Sequence, residues 1–151
     1  MIRARQRGTT VAELLAGTAI LATLLGTTVV TSSEVRPLYV LRGAVREVAA
    51  DLQKARMSAA TENNRYKVQL TGAHTYSIHD DDNNNGVVDV GEKVQTVDAQ
   101  LDWSGVTLSA PGSITFLPDG TVLAPVVITV QKSGTTAKTI SISQAGSIRI
   151  Q

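Results

Sequence analysis

The chain has 151 residues, no cysteine, and 14 Lys and Arg against 13 Asp and Glu. Beside an apolar N-terminal segment, that length leaves room for one soluble domain of roughly a hundred residues with one modest core, and a second domain is not expected. Without cysteine there is no disulfide framework, thiol nucleophile or cysteine zinc site, and a net charge of +1 offers no global attraction for nucleic acid.

The N-terminus is the most ordered part of the pattern. Arg3, Arg5 and Arg7 precede Gly8, and an apolar run over residues 11–31 follows, in which Glu13 is the only charge. At about 1.5 Å per residue such a helix reaches across a hydrocarbon core of about 30 Å. Residues 1–8 therefore read as a basic leader, residues 9–31 as a transmembrane helix and residues 32–151 as the soluble domain. The leader arginines hold that end in the cytoplasm, which makes the soluble domain extracytoplasmic. A secretory signal carries its cleavage site after the apolar run, whereas the small residue on the charged side here is Gly8; a cut there leaves the helix on the mature protein. It also removes three of the 14 basic residues, leaving 11 against 13, or −2.

Glu13 is the exception in this segment. A carboxylate near one end of a bilayer helix costs a few kcal/mol unless compensated, and its natural partner is an amine. Cleavage after Gly8 creates an α-amino group on Thr9, four residues before Glu13, and a first-turn carboxylate also suits the helix dipole. The plainer alternative places Glu13 at the headgroup level.

Gly8, Thr10, Val11, Glu13 and Leu14 resemble the class III signal of type IV pilins and pseudopilins, in which a basic leader and Gly precede Phe-Thr-Leu-Ile-Glu-Leu. Thr9 replaces the usual Phe, and Ala12 an aliphatic residue. The resemblance implies cleavage after Gly8 by a prepilin peptidase, N-methylation of Thr9, and assembly with other pilins or pseudopilins on an inner-membrane platform, with Glu13 pairing to a neighbour's amine.

Over residues 34–62, Val35, Leu38, Leu41, Val45, Val48, Leu52 and Ala55 recur every three or four positions between charged residues, the pattern of an amphipathic helix with one buried stripe. Pro37 is expected to kink its junction with the membrane segment, and Asn63-Asn64 to end it. The period then changes to two. Residues 65–70, 75–79, 94–97, 106–108, 113–117, 122–131 and 138–150 read as short antiparallel strands separated by Thr71-Gly72, Pro111-Gly112, Pro118-Asp119-Gly120 and Ser133-Gly134. The expected fold is α+β, a long N-terminal helix packed on an antiparallel sheet domain.

Between two of these strands, residues 81–92 follow the twelve-residue calcium-loop pattern: Asp81 at position one, Asn83 at three, Asn85 at five, Gly86 at the sharp turn, the Val87 carbonyl at seven, Asp89 at nine and Glu92 at twelve. Ca²⁺ takes six to eight oxygens, and alternate residues of a tight loop can aim theirs inward. The flanking segments read as strands, so the expectation is a calcium loop set in a β-hairpin. The alternative is a solvated polar loop without metal. His79, just before it, reads as a strand-end residue near the ion or a polar cap.

The strand and turn over residues 114–120, the strand 138–143 and the closing Gly146-Ser147-Ile148-Arg149 look like the C-terminal half of GspH/FimT-type minor pseudopilins and pilins. Some FimT-like pilins bind DNA through a terminal Gly-Arg-x-Arg; here Gly146 and Arg149 align but Ser147 replaces the first arginine. Lys132, Lys138 and Arg149 are the only basic residues after Lys93, too few to neutralise many phosphates, so DNA is not an expected partner and Arg149 reads as a surface residue. His74 and His79 have no metal spacing and no serine lies in a nucleophile elbow, so no enzyme is expected. Trp103 is expected to pack in the core. The sequence reads as a minor pseudopilin or pilin subunit of a type II secretion or type IV pilus fibre; the alternative is a membrane-tethered ligand-binding module.

Overall fold

The computed structural model describes residues 10–151, and of residues 25–35 the backbone alone. Gly8 and Thr9, where processing is expected, lie outside the described residues. Helix α1 (Val11–Glu62) has 52 residues and contains Pro37. The chain divides into two compact units between Arg36 and Pro37, five residues beyond the boundary expected from the sequence.

In the first unit, Val11, Leu14, Leu15, Ile20 and Leu21 are all exposed. At about 100° per residue these positions are distributed around the helix, so no single face is apolar. Among the described residues no helix is long and apolar enough to cross a membrane; the side chains described in the expected span of residues 9–31 end at residue 24.

The second unit, Pro37–Gln151, holds the core. Leu41, Ala44, Val45, Val48, Ala49, Leu52, Ala55 and Ala59 form the buried stripe of α1. Leu38, expected in that stripe, is 42% exposed. The four alanines let the sheets approach the helix backbone closely, which long side chains would prevent. Asn63, at φ 59°, ends the helix in the left-handed conformation that Asn tolerates.

Among the described residues, eight strands form two antiparallel four-stranded sheets where the sequence suggested one sheet. In chain order the elements are β1 (Arg65–Leu70), β2 (Thr75–Asp81), β3 (Val94–Asp98), the short helix α2 (Ala99–Asp102), β4 (Val106–Ser109), β5 (Ile114–Phe116), β6 (Val126–Lys132), β7 (Lys138–Ile142) and β8 (Ile148–Ile150). The sheet orders are β3-β2-β1-β5 and β4-β6-β7-β8, so consecutive strands β4 and β5 belong to different sheets. Two long runs broke where turn chemistry intervenes. Residues 138–150 divide at Gly146, whose φ is +75°. Residues 122–131 pair only from Val126, just after Pro125, which has no N–H for the ladder; Val122 makes an isolated bridge to Phe116.

Alternate residues of both sheets, including Val68, Ile78, Ile114, Phe116, Ile128 and Ile140, meet the helix stripe in one hydrophobic cluster. Polar side chains of α1 fasten its rim. Tyr76 donates its hydroxyl to Asp51, Tyr66 to Glu62 at 2.8 Å, and Arg56 donates Nε to the Gly120 carbonyl at 2.8 Å. Burial and the carboxylates of Asp51 and Glu47 push the Tyr76 phenol far above its ordinary range.

Trp103 is half-buried against the core, its indole N–H donated to Glu47. A Cβ at Gly43 would collide with the Trp103 ring. Gly43→Val is therefore expected to turn the indole off Glu47 and cost about 1–3 kcal/mol, measured as a lower urea midpoint at unchanged slope.

Candidate functional site

Three places carry the candidate residues. The first is the start of α1. Thr10 donates its backbone N–H to Glu13 Oε2 at 3.0 Å, and Glu13 N–H faces Thr10 Oγ1 at 3.4 Å. This is a capping box: Thr10 and Glu13 satisfy donors that the first turn leaves without intrahelical acceptors. The geometry gives Glu13 a local role the sequence reading did not assign, and it holds the carboxylate at the peptide nitrogen joining Thr10 to Thr9.

The second place is the loop between β2 and β3. The hairpin's last register pair is His79 with Val94, followed by a bond from Asp80 N–H to the Lys93 carbonyl at 2.9 Å. β2 is an inner strand of its sheet, so its polar end is buried: His79, Asp80 and Asp81 are all covered, Asp81 completely. Asp81 organises the turn that follows. Its Oδ1 accepts from Asn85 N–H at 2.9 Å and its Oδ2 from Gly86 N–H at 2.8 Å. Asn83 Oδ1 accepts from Asn85 N–H at 3.0 Å, and Asn85 Oδ1 from Val87 N–H at 2.6 Å. Asn84 and Gly86 have φ of 60° and 79°, conformations that Asn and Gly supply at little cost.

The loop is also tied to β1. Arg65 donates its backbone N–H to Asn84 Oδ1 at 2.8 Å and Nη1 to the Asn84 carbonyl at 2.9 Å. Asn64 Nδ2 donates to Asp82 Oδ1 at 2.7 Å. Neither tie was foreseen from the sequence.

Among the predicted ligands, Asn83, Asn85 and Asp89 come together: both amide nitrogens donate to Asp89 Oδ2, at 2.7 and 2.6 Å. Those amides hold the Asp89 carboxyl below its usual range. Glu92 turns back across the loop, where Oε2 accepts from Asp89 N–H at 2.9 Å and meets His79 Nε2 at 2.7 Å. The Asp89 N–H, then His79, hold the Glu92 carboxyl low, and the Asn83 backbone N–H acts on it in the same direction. Asp81 is committed to backbone donors. Among the described residues, no three His, Asp or Glu side chains group closely enough to hold a metal by themselves; the candidate donor set depends on amide and carbonyl oxygens as well.

The third place is the C-terminus. Gly146 closes a turn with its N–H on the Ser143 carbonyl at 2.8 Å, against Gly120 and Arg56. Arg149 is exposed on the short edge strand β8, opposite Ser141. His74 is a structural link: its Nδ1 donates to the Val106 carbonyl at 2.6 Å, joining the β1–β2 turn to β4.

Residues 44–146, from the buried half of α1 to the Gly146 turn, match the family described as type II transport protein GspH. The chain is similar to the type IV minor pilin FimU of Pseudomonas aeruginosa at 24% identity and a TM-score of 0.57, covering 74% of this chain and 87% of that one. It is similar to the minor pseudopilin EpsH of the type 2 secretion system of Vibrio cholerae at 11% identity and a TM-score of 0.56, covering 73% and 94%. Both likenesses show the pilin-like α+β fold. No curated protein sequence matches the chain.

Proposed function

The chain belongs to the type II transport protein GspH family, and from that premise we propose that it is a minor pseudopilin or pilin subunit, cut after Gly8 and built into a type II secretion or type IV pilus fibre through its N-terminal helix. Pseudopilins of this family are structural subunits and not enzymes. In this reading a prepilin peptidase removes residues 1–8, residues 9–31 anchor the subunit in the inner membrane, and the domain from Pro37 lies outside it. The partners are other pilins or pseudopilins and an inner-membrane assembly platform.

The observation that carries the assembly reading is the exposed, largely apolar surface around residues 11–21, in which Glu13 is the only charge. Such a surface is not stable in water alone and needs lipid or equivalent helices against it. Glu13 gives the packing a register. Its carboxylate already lies at the Thr10 nitrogen, one residue from the amine that cleavage creates on Thr9, and a neighbouring subunit's amine would neutralise it in a medium where an unpaired carboxylate is costly.

Intact mass of the membrane-extracted protein, with and without a co-expressed prepilin peptidase, tests the pathway. The expected result is loss of residues 1–8 only when the peptidase is present, with one further methyl group on Thr9; a full-length mass in both samples would sink the proposal. A pair of variants then separates the two roles of Glu13. Glu13→Gln keeps an acceptor for the capping box but loses the charge, whereas Glu13→Ala loses both. Both should be cleaved normally and both should fail to enter the fibre. Normal incorporation of the Gln variant would reduce Glu13 to a helix cap.

A further inference from the structure

We propose that the β2–β3 loop is a calcium site, with one Ca²⁺ held by Asp81, Asn83, Asn85, the Val87 carbonyl, Asp89 and Glu92. The twelve-residue spacing alone describes a polar turn as well as a metal site. What distinguishes them is Glu92, the residue at position twelve, where calcium loops place a carboxylate that gives both oxygens. Its side chain is only 6% exposed. One oxygen takes the Asp89 N–H and His79, while the other, Oε1, is buried without a hydrogen-bond partner. Through the Asp89 N–H the carboxylate lies against the loop itself and not in the solvent. A covered carboxylate oxygen with nothing to bind is costly, and chains retain one where a ligand completes it.

The remaining donors are in keeping with a cation there. Both side-chain amide N–H groups of Asn83 and Asn85 go to a single oxygen of Asp89, so these three of the six donors already lie within reach of one another. The donors that the spacing names, three carboxylates, two amide oxygens and a carbonyl, are all oxygen, which suits a hard ion. Six such donors, one of them a carboxylate able to give both oxygens, suit the larger Ca²⁺ over the smaller, strictly octahedral Mg²⁺. The ties from Asn64 and Arg65 to Asp82 and Asn84 fix the loop's first half beforehand, so less ordering remains for binding to supply.

The test uses the full chain in detergent micelles, titrated calorimetrically with CaCl₂ and separately with MgCl₂, with thermal unfolding followed in parallel. One saturable site is expected, in the range of about 0.1–1 mM typical of extracellular calcium modules, with a thermal midpoint that rises with millimolar Ca²⁺ and not with equal Mg²⁺. Glu92→Gln should weaken calcium binding at least about tenfold, and Glu92→Asp, which keeps the charge but shortens the reach, should weaken it as well. Chelator-treated variants that unfold cooperatively show that the loss is not a folding failure. Absence of both heat and thermal shift, equal responses to the two cations, or unchanged affinity in both Glu92 variants would overturn the site.

Discussion

Phe116→Ala is expected to remove about 3–5 kcal/mol of stability, the range for deleting a fully buried aromatic side chain. Phe116 is the chain's only phenylalanine and is 0% exposed. It lies on β5, the strand that closes one edge of the first sheet opposite Tyr66, and Val122 bridges to it from the segment leading to the second sheet. Truncation therefore opens a cavity beside the crossover between the sheets, where neither can collapse inward without giving up its pairing. A domain of this size has about 5–15 kcal/mol in total, so the loss is a large fraction. Urea unfolding of the full chain in micelles should show a lower midpoint at the parental slope; a loss under about 1 kcal/mol would mean that the two sheets do not share one core at this point.

The change of period near Asn63, from apolar residues every three or four positions to every second one, was enough to place the end of α1 and the whole of β1. Both limits follow from local chemistry: a left-handed Asn stop, then alternation on a half-buried strand. Sheet membership was not legible. β4 and β5 have the same β-branched composition, and only pairing with strands distant in the chain, β6 and β1, sends them to different sheets. The helix α2 escaped notice because four residues show no period; its signal is the Asp98 side chain capping Gln100 N–H.

The loop shows a similar division. Its spacing named Asp81 as a ligand at position one of a calcium loop; what the structure adds is that both of its oxygens accept backbone N–H groups of the turn. The partners that decide the loop's chemistry are remote: His79 is 13 residues from Glu92, and Arg65 is 19 from Asn84. No short pattern records such pairs, because hairpin register and the packing of β1 beside β2 bring them together. The double use of Glu13 was hidden for a different reason. Thr10 and Glu13 form a capping box, but both also fall within the stretch that resembles a class III signal, and that resemblance drew the reading toward processing and assembly.

Comparing Gly146→Ala with Gly134→Ala should separate backbone strain from crowding. Both glycines have positive φ, +75° and +79°, so a Cβ costs each about 1–2 kcal/mol. At Gly134 an added Cβ meets nothing within 4 Å. At Gly146 it runs into the Gly120 carbonyl, with Arg56 Nε 2.7 Å away, the two groups that make the bond from α1 to the Pro118-Asp119-Gly120 turn. That turn cannot retreat easily. Gly120 N–H is held by the Leu117 carbonyl at 2.8 Å, and Asp119 is fixed by the Thr121 hydroxyl and amide, which keep its carboxyl below the usual range. Relief must come from Arg56, and the loss of a bond from a charged donor adds about 1.5–3 kcal/mol. The Gly146 variant should therefore lose about 3–4 kcal/mol, roughly twice the loss at Gly134, and adding Arg56→Ala to it should cost far less than the same change in the parent. Equal losses at the two glycines, or full additivity with Arg56→Ala, would show that the C-terminal turn is held by its own backbone and not clamped to the helix.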